Sequence, residues 1–249
     1  MLGMFGFDKR WRIGSVLGFP VELNLSFLIL LGVVYLWMGG VAGLVVVGVA
    51  FTSVLLHELG HAVVARQRRV PVSAIELHFF GGAAKMMGMP RSAKDEIAIA
   101  AAGPAVSLVL AGLGLGLGAV LGNWWIAAIG WINLTIAIFN LIPALPMDGG
   151  RILRAVLSRR LGFVDATDVS VTVARVVAVA FAVYGLAAGM FQLVLLAPFL
   201  WMMGTQERAI ARQMVRQPAH MSRQTPGSEP QVRRFVIRER DGRTVIEML

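Results

Sequence analysis

Three stretches contain no Asp, Glu, Lys, Arg or His: residues 23–56, 97–147 and 176–206, of 34, 51 and 31 residues. A helix crossing a hydrocarbon layer needs about 20 apolar residues, so each stretch exceeds one span and fits two. Six transmembrane helices follow, and the expected class is an all-α membrane protein with small surface or re-entrant β-hairpins. Composition agrees, with 57% of residues hydrophobic and 15% charged, against about 25% charged in soluble domains. The absence of cysteine excludes a disulfide scaffold and any thiolate metal site.

Glycines and prolines divide these stretches. Gly39-Gly40, Gly122-Asn123 and Gly189 make short connections, giving helices at about 23–38, 41–65, 93–121, 170–188 and 190–205. A fourth span starts near Trp124 and ends where Pro143 and Pro146 break the pattern, ahead of a short basic helix at 149–160. Asp165 or Asp168 is expected to cap the fifth span. Residues 70–92 alternate loosely in polarity and turn at Gly81-Gly82, which reads as a hairpin with a Met-rich end. The expected organisation is an amphipathic hairpin at 1–22, a six-helix core at 23–206, and a cytoplasmic basic tail at 207–249 whose last part turns at Asp241-Gly242.

A net charge of +9 would suggest nucleic acid in a soluble protein. Here 22 of the 23 Lys and Arg residues fall in the inner segments under this assignment, and Arg175 can snorkel to the same side. The basic charge therefore reports topology. It implies a multi-pass protein of the cell membrane with both termini cytoplasmic, a lipid bilayer as partner and no nucleic acid.

Near the inner end of the second span lies His57-Glu58-Leu59-Gly60-His61. Positions four apart share a helix face, so both imidazoles can reach one metal ion while Glu58 sits beside them as a base. His57 precedes Arg66 by nine residues, or ~13 Å of helix, which puts ionisable groups at a depth where they are costly and therefore functional. A catalytic zinc has three protein ligands and one open position. Asp148 follows a proline-broken segment that lipid tolerates only when it is buried or lines a watery cavity. It is either the third ligand or an N-cap for the short helix.

Together with Asn140-x-x-Pro143-x-x-Pro146-x-Asp148-Gly149, Phe80-Gly81-Gly82 and Ala102-Gly103-Pro104, the motif resembles the site-2 proteases, intramembrane zinc metalloproteases. The resemblance covers residues 23 to about 207. It implies one zinc per chain held by His57, His61 and Asp148, Glu58 as general base, and Asn140 holding the substrate or its developing oxyanion. It further implies cleavage within or near the membrane segments of membrane-anchored, single-span substrates. Many members carry Asn three residues after the Gly-Pro pair, where this chain has Ser107, a change expected to alter helix packing and leave the metal site untouched. The PDZ or CBS domains of many members do not fit within this chain.

Other residues draw milder expectations. The hairpin at Gly81 and Gly82 offers an edge to which an extended substrate can add as a strand. His78 reads as a surface or packing residue, Trp124, Trp125 and Trp131 as interface anchors, and Gly112, Gly114, Gly116 and Gly118 as close helix packing. A silent metal-binding regulator or a metal transporter is the alternative function, though a transporter has no need of Glu58 beside the first histidine and a silent relative would not need every motif residue. Oligomeric state is left open.

Overall fold

A computed structural model describes residues 10–37, 40–78, 81–221, 235–240 and 243–248. The elements run β1 (Arg10–Val16), β2 (Phe19–Asn24), α1 (Leu25–Trp37), α2 (Val41–Gln67), β3 (Val72–His78), β4 (Gly81–Met86), α3 (Ala93–Leu121), α4 (Trp124–Leu141), α5 (Asp148–Leu157), α6 (Phe163–Ala187), α7 (Phe191–Met221), β5 (Phe235–Arg240) and β6 (Arg243–Met248). The chain divides into two compact units, residues 1–211 and 212–249. Within the second, β5 and β6 pair antiparallel, and the turn expected at Asp241-Gly242 lies outside the described residues.

Among the described residues, four helices are long and apolar enough to cross a membrane: Gly43–Gln67, Ala93–Leu121, Trp124–Leu141 and Phe163–Ala187. The apolar part of α1, Leu25–Leu36, is shorter. In α7 the apolar run gives way at Gln206-Glu207-Arg208, and the helix continues unbroken into the arginine-rich segment. Neither Asp165 nor Asp168 caps α6. The N-cap is Gly162, without a side-chain bond, while Asp168 pairs with Arg208 of α7 at 2.6 Å.

The chain is mostly helical with a small sheet, and the two hairpins expected separately are joined in it as one four-stranded sheet, ordered β1-β2-β3-β4. The joint is a parallel pairing of β2 with β3, Val21 opposite Ile75 and Leu23 opposite Leu77. Leu17 and Gly18, both at positive φ (51° and 84°), make the tight β1–β2 turn. Arg66 at the end of α2 donates to the Leu17 carbonyl at 3.0 Å and stacks on Phe19. Phe19 and Ile75 bury against Leu59 and Ala62 of α2, which fixes the sheet over the metal-motif helix. Gly81 and Gly82, expected at the turn of the second hairpin, open β4 instead.

Local signals set the helix limits. Ser92 Oγ accepts from Asp95 N–H at 3.1 Å to start α3, and Gly122 ends it in the left-handed conformation. Asn123 Oδ1 then accepts from Trp125 and Ile126 N–H to start α4. Of the four α3 glycines flagged for packing, Gly114 and Gly118 meet α4, whereas a Cβ at Gly112 or Gly116 would meet nothing within 4 Å. Trp124, Trp125 and Trp131 are exposed.

After α4 the chain passes through a buried segment, with Ala144 and Leu145 fully enclosed. Gly150 is needed where it turns back into α5, because a Cβ there would collide with Leu145 N and lie 2.5 Å from the Ala144 carbonyl carbon. Arg154 of α5 binds Glu96 of α3 through Nε at 3.0 Å and Glu207 of α7 through Nη1 at 3.1 Å. Burying that guanidinium is tolerable because both flanking carboxylates neutralise it.

Candidate metal centre

The three motif residues between the histidines on α2 point in directions different from theirs, since a helix turns about 100° per residue. Leu59 enters the core beneath the sheet. Gly60 faces α3, where a Cβ would lie 2.8 Å from the Ala102 carbonyl oxygen. Glu58 faces β4, and its Oε2 accepts from Ala84 N–H at 3.0 Å. His57 and His61, each 3% exposed, face the space between α3 and the start of α5.

There the two imidazoles meet Asp148. Its Oδ2 lies 3.1 Å from each Nε2, and the two Nε2 atoms are 3.2 Å apart. Asp148 is the first residue of α5, and the N-cap is Met147, which makes no side-chain capping bond. The His61 Nδ1–H donates to the Ile99 carbonyl at 2.7 Å. His57 Nδ1 lies 2.9 Å from Ser107 Oγ. The carbonyl partner fixes His61 with its Nε2 lone pair toward the carboxylate, and His57 matches it in the tautomer whose Nδ1–H donates to Ser107 Oγ.

Three acceptor atoms converging at this range repel one another unless positive charge lies among them. Tetrahedral zinc with bonds of about 2.1 Å holds its ligand atoms roughly 3.4 Å apart, close to the separations seen. The three ligand atoms all fall within 4.8 Å of one another. Gly103 on α3 leaves the necessary room, since a Cβ there would come 2.6 Å from His57 Nε2 and would also collide with His61 Nε2. The residues present therefore fit one zinc ion.

Ile99, Gly103 and Ser107 recur every four residues on α3 and so form one face, matched to the four-residue spacing of the histidines on α2. This corrects the reading of Ser107. It touches a proposed metal ligand, so the serine found where many relatives have asparagine bears on the centre itself. The spacing was in the sequence, yet nothing there said which face of α3 meets the histidines.

The centre opens into a cavity of about 560 Å³. Glu58, Asn140, Gly81 and Gly82 line it with the three ligand residues, and so do Arg151 and Glu207. Asn140 Nδ2 donates to the Ile136 carbonyl of its own helix at 3.0 Å. Gly82 brings β4 close, as a Cβ there would lie 2.6 Å from Glu58 Cγ. His78 lines the cavity as well, which the sequence reading missed. Burial holds its imidazole below the usual histidine value against the opposing pull of Glu76 and Glu58.

Comparison with known proteins follows the same residues. The model of peptidase family M50 matches residues 44–123 and 119–183, which include the motif on α2 and Asp148. A zinc metalloprotease of Methanocaldococcus jannaschii is 32% identical over 214 residues, 80% of this chain and 60% of that protein. A candidate zinc metalloprotease of Synechocystis sp. is 38% identical over 170 residues, 60% of this chain and 45% of that protein. The chain thus spans about half the length of the curated relatives it matches. A solved site-2 protease from Methanocaldococcus jannaschii superimposes with a TM-score of 0.64 at 32% identity, covering 80% of this chain and 95% of that one. A match that spans both ends of the metal centre, and a shared fold that carries them, establish that this chain belongs to peptidase family M50.

Proposed function

We propose that the protein is an intramembrane zinc metalloprotease that hydrolyses peptide bonds within or near the transmembrane segments of membrane-anchored, single-span substrates. The observation that carries this reading is the convergence of His57, His61 and Asp148 from two separated apolar regions, with Glu58 lining the same cavity. Zinc held by these three side chains supplies Lewis acidity, which lowers the pKa of water and polarises a peptide carbonyl. Glu58 accepts the proton of the attacking water and returns it to the leaving nitrogen. The Asn140 amide gives a hydrogen bond to the substrate or its developing oxyanion.

A helical substrate hides its carbonyls, so the segment to be cut must become extended. β4 ends the sheet order and has one edge without a strand partner among the described residues. The Ala84 N–H on that edge points to Glu58, and with a strand period of two the Gly82 backbone points the same way. A substrate strand added there runs beside the base, which supports roles for Gly81 and Gly82 in binding. The N-terminal hairpin and this loop line the access path. Crosslinks from substrate found only on the opposite face would remove that assignment.

α1 and α7 complete six spans, flanked by an amphipathic hairpin at 1–22 and a cytoplasmic basic tail at 207–249, with both termini cytoplasmic. The positions of lysine and arginine support this topology. Zinc content measured beside cleavage of a single-span substrate tests the function. Wild type holds zinc and cuts, while Glu58→Gln holds zinc and loses at least ~10²-fold in rate. Zinc absent from both proteins, or undiminished cutting by Glu58→Gln, would reject the proposal.

A further inference from the structure

Among the charged groups lining the cavity, Arg151 stands apart. Asp148 converges with both histidines at the proposed metal position, Glu58 is held by the Ala84 N–H, and Glu207 by Arg154. The half-buried Arg151 guanidinium makes no hydrogen bond or ion pair among the described residues. Helix physics gives no reason for a cation there. Arg151 is the fourth residue of α5, in a first turn where the helix dipole favours anions, and the like-charged Arg154 follows three residues later.

We infer that Arg151 is a specificity-determining residue that binds the carboxylate of an Asp or Glu side chain in the substrate, close to the bond that is cut. The inference rests on the protease reading and names the substrate feature that reading leaves open. A guanidinium fork matches a carboxylate with two parallel hydrogen bonds, and a cavity partly closed to water strengthens them. Three residues of helix separate Arg151 from Asp148 by ~4.5 Å along the axis. An extended substrate advances ~3.3 Å per residue, so the acidic side chain falls within about four residues of the scissile bond. A lipid phosphate carries similar charge, but Arg151 shares its cavity with Asn140 and Gly82, groups assigned above to a peptide.

The test uses the full chain, zinc-loaded, in phosphatidylcholine vesicles. Single-span substrates carry Gln or Glu at each position up to about four residues on either side of the bond. Wild type should prefer Glu at one position by about tenfold or more in kcat/KM, mainly through KM, the range of a charge-assisted hydrogen bond. Arg151→Gln should bring that ratio to within about twofold of unity, and Arg151→Glu should turn the preference toward Lys at the same position. No Glu preference in wild type would overturn the inference. So would a preference that survives Arg151→Gln, or a variant that slows Gln and Glu substrates alike, as expected if the residue only supports the fold.

A binding measurement separates this inference from the protease reading. In the Glu58→Gln background the Glu peptide should bind about tenfold tighter than the Gln peptide, and the further change Arg151→Gln should abolish the difference. If wild type cuts nothing while this difference persists, the protease reading fails and the carboxylate site stands. If cutting is normal and the difference is absent, the site fails alone. Affinity for anionic lipid that is lost with Arg151→Gln, without any peptide preference, would assign the guanidinium to lipid and sink the inference.

Discussion

The two halves of α3 use glycine for opposite purposes. Toward its C-terminal end, Gly114 and Gly118 admit the backbone of α4: a Cβ on either would lie 2.6 Å from the amide nitrogen of Gly130 or Ala127. Toward its N-terminal end, Gly103 admits two imidazole rings, with a Cβ again 2.6 Å from the nearest His57 atom. One stretch of small residues thus serves helix packing at one end and the proposed zinc site at the other. Small residues alone report only close approach, and what approaches decides the role.

The sharpest way to break this comparison is Gly103→Ala. The added methyl group occupies the space beside both Nε2 atoms, so bound zinc should fall well below one ion per chain and proteolysis should vanish, with helix content kept. Full zinc occupancy by elemental analysis of the purified variant would show that the two halves of α3 do not differ in purpose. Ser107→Ala is next. Removing the hydroxyl that orients His57 should weaken zinc binding by about 10–100-fold, measured by chelator competition, while thermal stability with zinc in excess changes little. Unaltered affinity would return Ser107 to a packing role.

Gly114→Ala probes the other half. Overpacking against the α4 backbone costs about 1–3 kcal/mol, offset by ~1 kcal/mol of helix propensity, for a net loss of about 0–2 kcal/mol with zinc retained. Gly112→Ala, which meets nothing within 4 Å, should be neutral or gain up to ~1 kcal/mol. Equal unfolding midpoints for the two variants would count against the close α3–α4 contact.

The smallest effect lies in the sheet, away from both halves of α3. Burial raises the Glu76 pKa, but hydrogen bonds from Lys85 and Asn24, with the Arg10 charge, outweigh it and hold the carboxyl below its ordinary 4.5. A depressed folded value contributes stability above the unfolded one and loses it as pH falls through the folded one. Wild type should therefore lose stability in acid below about pH 4.5, and Glu76→Gln should flatten that part of the profile. A profile unchanged by the substitution would show that the cluster does not bear on acid stability.

Much of the proposed centre was legible because its signals are local. His57 and His61 lie one helical turn apart, and Glu58 is bound to that spacing by the chain itself. Pro143 and Pro146 announce a break beside Asp148 through missing N–H groups. Contacts between distant segments were not legible. Ser107 was read as packing because nothing in its surroundings reveals that His57, 50 residues earlier, lies 2.9 Å away. The β2–β3 joint escaped because a parallel pairing between strands separated by two helices leaves no turn to recognise. His78 looked like a surface residue because the cavity it lines is made mostly by α2, α4 and α7.

The sequence by itself determined that the chain is apolar enough for a membrane, where its helices break, and which side chains are candidates for metal chemistry. These follow from composition and from spacing along one helix, where geometry is set by the chain's own covalent repeat. Only the tertiary structure decided which face of α3 meets the histidines, how two hairpins become one sheet, and that Arg151 shares a cavity with Glu58. Those depend on how separate helices pack against each other, and packing is settled by the fit of many side chains at once.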